Sequence, residues 1–143
     1  DTCLAALSMA EFMRRTNLQR DKLPLPRWDL RIGIHSGPVM AGVVGKSKFI
    51  YDVWGDAVNI AARLEAAGGA GRINVSDIVH NRVRALMECE PRGAVEVKNK
   101  APIRMHFVTR IKPEFSRDAE GLRPNDAFHH ECERLFPGYR AAA

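Results

Sequence analysis

The sequence contains few cysteines, three in 143 residues, at positions 3, 89 and 132. Their odd number, wide separation and lack of C-x-x-C spacing argue against a disulfide framework and indicate a reducing compartment. Long hydrophobic runs are also absent, since no stretch is long enough to cross a bilayer and no signal-peptide pattern opens the chain. We therefore expect a cytoplasmic domain that reaches a membrane only through upstream segments outside this chain. A start at Asp1 rather than Met fits a piece of a longer protein.

Aromatic residues and clustered positive charge are scarce as well. Aromatics make up 7% of the chain, and its net charge of +5 is dispersed, with Arg14-Arg15 and Lys98 with Lys100 as the densest groups. A nucleic-acid-binding surface would be more clustered and more aromatic, so the sequence argues against nucleic acid as a partner. The positive charge would equally suit an anionic small molecule such as a nucleotide.

The hydrophobic pattern predicts helices and strands in mixed order, within one domain that has a modest core. The predicted helices cover residues 2–20, 56–67 and a segment from 76 or 77; the predicted strands cover 30–35, 39–44, 49–54, 72–75, 95–98 and 103–109. An order that permits hairpins favours an α+β fold, with a mainly antiparallel sheet and flanking helices, over a purely parallel sheet. From Lys112 the composition turns polar, and we treat 112–143 as an appended C-terminal tail with a short helix that starts near Asn125 or Asp126.

The most informative stretch is YDVWGDAVNIAAR, residues 51–63. Its apolar strand stops at Gly55 and opens a helix with Asp56 at the expected N-cap, and a helix N-terminus suits a phosphate. Asn59 and Arg63 are four residues apart, so they project from the same side and can reach one ligand together. The remaining helix positions are small and apolar, which predicts burial and an anionic partner for the arginine. The simpler alternative is an amphipathic helix whose polar stripe faces water.

Two motifs, LRIGIHSGPVMAGVVG at 30–45 and YDVWGDAVNIAAR at 51–63, closely resemble the class III adenylyl and guanylyl cyclases. The resemblance extends over about residues 27–108, where a lysine-bearing hairpin follows the motifs in the family's order. It implies a ferredoxin-like βαββαβ core and two domains that pack head to tail around a shared active site, here as a homodimer. In this family the 3′-hydroxyl of a purine nucleoside triphosphate attacks the α-phosphate and expels pyrophosphate.

The resemblance also assigns roles to residues of this chain. Asp52 matches the position that reads the purine, and a carboxylate there accepts from the exocyclic amine of adenine, which favours ATP. Asn59 matches the residue that orients the ribose. Arg63 matches the residue that neutralises charge on the α-phosphate, for which a permanently charged guanidinium is suited. Val53 and Val58, which flank these positions, complete the expected substrate-binding set.

Lys98 matches the lysine that holds the terminal phosphates. The family usually has glycine after each of the two lysines of this loop, whereas Asn99 and Ala101 stand here, so the loop is expected to be stiffer or differently bent. Lys100 could take the same role. The simpler alternatives are an exposed hairpin lysine for Lys98 and, for Asp52, a strand carboxylate paired with a nearby lysine.

The family's two metal-binding aspartates lie upstream of the matched motifs, and no segment of this chain matches either. The lysine that helps to read adenine is also unmatched. The resemblance therefore implies an incomplete fold with its N-terminal strands missing, no metal ligand in this chain, and two Mg²⁺ or Mn²⁺ ions held by the upstream segment. We expect these residues alone to be inactive, with open sheet edges and exposed apolar surface.

The function implied for the complete protein is that of an adenylyl cyclase, a phosphorus–oxygen lyase that makes 3′,5′-cyclic AMP from ATP for intracellular signalling. One alternative is a guanylyl cyclase. The other is a catalytically silent, cyclase-like domain used for dimerisation or regulation, although the joint presence of Asp52, Asn59, Arg63 and Lys98 weighs against it.

Overall fold

The computed structural model describes residues 1–45, 49–96 and 101–139. Its helices are α1 (Thr2–Arg20), α2 (Asp56–Ala67), α3 (Asp77–Val83) and α4 (Asp126–Leu135), with a 3-10 turn at Pro113–Phe115. Its strands are β1 (Ile32–Ile34), β2 (Met40–Val44), β3 (Ile50–Trp54), β4 (Ile73–Ser76), β5 (Met87–Val95) and β6 (Ile103–Ile111). The predicted helices at 2–20 and 56–67 are confirmed with those bounds.

Four strands form one sheet in the order β1-β4-β6-β5, and β2 and β3 form a separate antiparallel hairpin. Within the sheet, β1 runs parallel to β4, whereas the β4–β6 and β6–β5 pairs are antiparallel. The predicted α+β fold with a mainly antiparallel sheet is therefore confirmed.

Strand β5 differs from its prediction. We expected a strand at 95–98, but β5 begins at Met87 and ends at Val95. Its register against β6 shifts between Pro91 and Gly93, and Gly93 has φ +101. Proline and glycine are poor strand formers that are tolerated at a bulge, so the local composition concealed a strand that pairing with β6 stabilises.

Helix α2 packs directly against β1 because β1 carries a glycine in its middle. A Cβ at Gly33 would overlap the carbonyl oxygen of Ala61 and the amide nitrogen of Glu65, and would lie 2.9 Å from the Cα of Glu65. The buried face of α2 consists of Ala57, Ile60 and Leu64. The position of the helix on the sheet is thus fixed by backbone contact at one residue of β1.

The segment after Lys112 shares the core of the rest of the described chain. Phe128 and Cys132 of α4 are buried in the same cluster as Leu7 of α1 and Val75 of β4. The predicted helix is present, and the Asn125 side chain caps it by accepting a hydrogen bond from the Phe128 amide at 3.0 Å. The polar composition suggested an appended tail, but the helix buries Phe128 and Cys132 in the common core. The domain boundary at residue 111 stays a prediction.

We expect Phe128→Ala to lower the free energy of unfolding by about 3 kcal/mol, since truncation of a buried phenylalanine removes apolar contacts and leaves a cavity. Urea denaturation followed by circular dichroism measures the effect. The matched control is Phe12→Ala, because Phe12 is 66% exposed on α1 and its truncation should change stability by less than about 0.5 kcal/mol. Equal effects of the two substitutions would show that α4 adds nothing to the core.

The three cysteines are free thiols. Burial raises the pKa of Cys3 and Cys132 above the ordinary thiol value, and it raises the pKa of Cys89 to about 11. Because the thiolate is the reactive form, these side chains act as small apolar groups at neutral pH. No helix in the described ranges has the length and apolarity needed to cross a membrane.

Candidate functional site

Asp52 lies in the middle of β3, opposite Gly42 in the register of the β2–β3 hairpin. All five residues of β3 are exposed. The Asp52 carboxylate accepts a hydrogen bond from the backbone amide of Val53 at 2.8 Å. This contact leaves further lone pairs of the carboxylate free to accept from a ligand.

Gly55 makes the turn from β3 into α2. Its φ of 139° is accessible to glycine, and an added Cβ would lie 3.2 Å from the carbonyl oxygen of Pro38. The prediction of Asp56 as the N-cap is wrong: Gly55 is the cap, and its carbonyl accepts from the amides of Val58 and Asn59 at 3.1 and 3.3 Å. Asp56 instead occupies the first turn, where its negative charge offsets the positive end of the helix dipole.

The two faces of α2 differ sharply in exposure. One face is buried against the sheet, whereas Asn59 and Arg63 are exposed and Val58 is 38% exposed. The small apolar composition predicted burial on most sides, but the single chain covers one side only. Asn59 and Arg63 thus project from the open side, as their spacing predicted.

Arg63 connects α2 to the end of β5. Its Nη1 donates a hydrogen bond to the carbonyl oxygen of Glu96 at 3.4 Å. This bond is long, exposed and made to a neutral acceptor, so it leaves the guanidinium available to an anion. Glu96 immediately precedes residues 97–100, and the predicted phosphate-binding Lys98 and its alternative Lys100 lie outside the described residues.

The surface around these residues is open and apolar. Val53, Trp54 and Val58 are each 38–39% exposed, and Tyr51 is 69% exposed. A cavity of about 470 Å³ between α1 and the sheet is lined by other residues, including Trp28, Arg72 and Leu122. The exposed apolar surface matches the expectation from sequence. Enclosing a ligand at Asp52, Asn59 and Arg63 therefore requires a second surface.

Two positioning features were missed by the sequence reasoning. Gly33 sets the contact between β1 and α2, and its signal was a glycine in the interior of an apolar strand, which often marks close backbone approach. The Glu96 carbonyl orients Arg63 across 33 residues of sequence. No local pattern indicates such a contact, because a backbone carbonyl carries no sequence signal.

Comparison with known proteins identifies the family. The family model described as adenylate and guanylate cyclase catalytic domain matches residues 1–110. An adenylate cyclase of Mycobacterium tuberculosis is 45% identical over 85 residues, which are 59% of this chain and 18% of that protein. Guanylate cyclase 32E of Drosophila melanogaster is 35% identical over 118 residues, covering 80% of this chain and 10% of that protein. The chain thus spans a fifth or less of these two relatives.

Similarity to a solved structure supports the same fold. The adenylyl cyclase CyaB of P. aeruginosa superposes with a TM-score of 0.70 at 24% identity, covering 78% of this chain and 58% of that chain. The relatives include adenylyl and guanylyl cyclases alike. The motifs, the α+β fold and the matched family model lead to one conclusion: the chain belongs to the adenylate and guanylate cyclase catalytic domain family.

Proposed function

We propose that this chain supplies the base-reading, ribose-orienting and transition-state residues of an adenylyl cyclase that converts ATP to cyclic AMP and pyrophosphate. The observation that carries the proposal is the arrangement on β3 and α2: Asp52, Asn59 and Arg63 are exposed on consecutive elements joined by a single glycine. In the family motif that this chain matches, these positions serve the purine, the ribose and the α-phosphate.

The family generally uses Mg²⁺ or Mn²⁺, ions that prefer oxygen ligands. Within the described ranges, one group of side chains brings three potential ligands together, Asp77, His80 and His106. Two imidazoles and one carboxylate do not match an oxygen-rich pair of magnesium sites. The described residues therefore do not fit the family's metals, and this chain's part in the chemistry is assigned to its own side chains.

The proposed chemistry follows from the charges that develop. As the 3′-hydroxyl gives up its proton to water, its oxygen bonds to the α-phosphorus and the bond to pyrophosphate breaks, and negative charge spreads over the phosphoryl oxygens. The Arg63 guanidinium donates two parallel N–H bonds to those oxygens, which stabilises the transition state more than the ground state. The Asn59 amide binds the ribose and fixes the direction from which the 3′-oxygen approaches.

We infer that the active form is a homodimer. The three candidate residues lie on an open surface, whereas a nucleotide site normally buries most of its ligand. The neighbouring hairpin exposes large apolar side chains, including Met40 at 72% and Tyr51 at 69%. A second copy would cover this apolar surface and enclose the nucleotide.

Replacing Asp52 tests the choice of ATP. In the protein that carries this chain, Asp52→Ala should lower kcat/KM for ATP by about 10- to 100-fold, because the adenine amine loses its hydrogen-bond acceptor. The value for GTP should change much less. Cyclic nucleotide production from each substrate measures the ratio. An unchanged ATP-to-GTP ratio would remove Asp52 from base recognition, and a preference for GTP in the unsubstituted protein would favour a guanylyl cyclase.

The 143 residues alone should not make cyclic AMP, since the described residues do not fit the metal ions on which phosphoryl transfer depends. The test incubates the purified chain with ATP and either Mg²⁺ or Mn²⁺ and searches for cyclic AMP by mass spectrometry. Turnover under either condition would contradict this expectation and would assign the metal ligands to this chain.

A further inference from the structure

Three side chains with metal-binding groups converge on the face of the sheet that α3 covers. Asp77 and His80 are one helical turn apart on α3. His106 lies on β6 and is paired with Val75 of β4, and Val75 comes two residues before α3 begins. The His106 Nε2 lies 3.2 Å from the Asp77 Oδ1, and one ligand atom from each of the three residues lies within 4.8 Å of the others.

The two imidazole rings are stacked face to face. Their centroids are 3.8 Å apart and their planes differ by 5°. The His80 Nδ1 is buried without a hydrogen-bond partner, one of two such side-chain atoms in the described part of the chain. A buried, unpartnered nitrogen is costly, so the His80 Nδ1 is the atom of this cluster whose place in the fold the described residues do not explain.

Charged groups of both signs lie near His80. Burial, with the His106 ring as a lesser cause, lowers the pKa of His80 despite the opposing effect of Asp77. Arg84 also lowers this pKa, so its positive charge is close enough to repel a metal ion bound at His80.

We propose that Asp77, His80 and His106 form a binding site for a divalent cation of the zinc type. Two imidazoles and a carboxylate match the ligand preference of Zn²⁺, Co²⁺ and Ni²⁺ and not that of Mg²⁺. Ligand atoms around a tetrahedral zinc are about 3.3 Å apart, as follows from bonds of about 2.0 Å. The Asp77–His106 pair already has this spacing, and the Asp77 side chain is 37% exposed. The two parallel rings must turn out of their stack so that both in-plane nitrogen lone pairs point at one ion.

A bound ion would connect α3 to β6. Strand β6 also supplies Met105, which packs with Ile60 and Leu64 beneath α2. Since the ion binds the folded chain and joins two of its elements, it should stabilise the fold. This site takes no part in the proposed nucleotide chemistry, and neither proposal depends on the other.

Isothermal titration calorimetry with ZnCl₂ tests the site on the full chain, freed of any affinity tag and dialysed against EDTA. We expect saturable binding of about one equivalent and no binding of MgCl₂ at the same concentration. Zinc at a hundredfold excess over its dissociation constant should raise the melting temperature by about 5–10 °C. Without saturable zinc binding, the proposal fails.

Variants identify the ligands. His106→Gln and Asp77→Asn should each weaken zinc binding at least tenfold, whereas His130→Gln, at an exposed position on α4, should leave it unchanged. The Tm shift of each variant is compared with that of its own metal-free form, so a change in basal stability does not obscure the result. If His106→Gln fails to fold, the zinc affinity of Asp77→Asn alone decides the test, because Asp77 is partly exposed. Unchanged affinity in Asp77→Asn, or loss of binding in His130→Gln, would overturn the assignment.

Discussion

Replacing Arg63 by alanine should lower kcat of the protein that carries this chain by about 10²–10³, with little change in KM for ATP. The reason is that the charge on the α-phosphoryl oxygens grows in the transition state, so the guanidinium contributes more there than in the ground state. Among the described residues, the same group donates a 3.4 Å hydrogen bond to the Glu96 carbonyl. Steady-state kinetics with cyclic AMP as the measured product separate kcat from KM.

Two further variants test whether the effect is specific to the guanidinium of Arg63. Arg63→Lys keeps the positive charge but loses the planar pair of donors, so we expect it to recover only part of the activity. Arg134→Ala is the matched control, because Arg134 is an exposed helical arginine whose partner is Glu131. The melting temperature of Arg63→Ala should change little, since its bond to Glu96 is exposed. Activity of Arg63→Ala within threefold of the unsubstituted protein would contradict the assigned role.

Gly33→Ala should destabilise the chain by about 4 kcal/mol or more, at the upper end for a single substitution. The added methyl group would overlap backbone atoms of Ala61 and Glu65 in α2. Backbone atoms of a helix cannot rotate aside as a side chain can, so the helix would have to move away from β1 as a unit. The displaced helix carries Asn59 and Arg63, and activity should therefore fall with stability.

Urea denaturation measures the effect, with Gly42→Ala as the control. Gly42 is also a strand glycine, but a Cβ there would lie 3.5 Å from the nearest atom, in the Trp54 ring, which is ordinary van der Waals contact. We expect a change of less than about 1 kcal/mol at Gly42. Equal midpoints for the two variants would show that α2 is not held by close contact at Gly33.

The helices could be predicted from the sequence because their signals are local. The apolar period of α2 and the glycines after Ala67 define its bounds, and Asn125 identifies the start of α4. Strand β5 was predicted only at its end, since Pro91 and Gly93 occupy a bulge that pairing with β6 stabilises. Local sequence patterns thus predicted the elements whose signals are local. They failed for β5, whose formation depends on pairing with another strand.

The same distinction between local and tertiary signals applies to the candidate site. The i and i+4 spacing of Asn59 and Arg63 predicted their common side, but composition overestimated how much of α2 the chain itself buries. The stack of His80 on His106 joins positions 26 residues apart, and no motif indicates it. Side chains on one helix are predictable from spacing, whereas contacts between α3 and β6 depend on how the sheet is assembled.

The product made by the protein that carries this chain identifies the substrate of the proposed reaction. The purified protein is supplied with ATP or GTP in parallel, and the cyclic nucleotides are separated and quantified by liquid chromatography with mass spectrometry. We expect cyclic AMP and pyrophosphate from ATP, both formed about 10²–10³ more slowly by the Arg63→Ala variant. Formation of no cyclic nucleotide, or of cyclic GMP in preference to cyclic AMP, would contradict the proposed function.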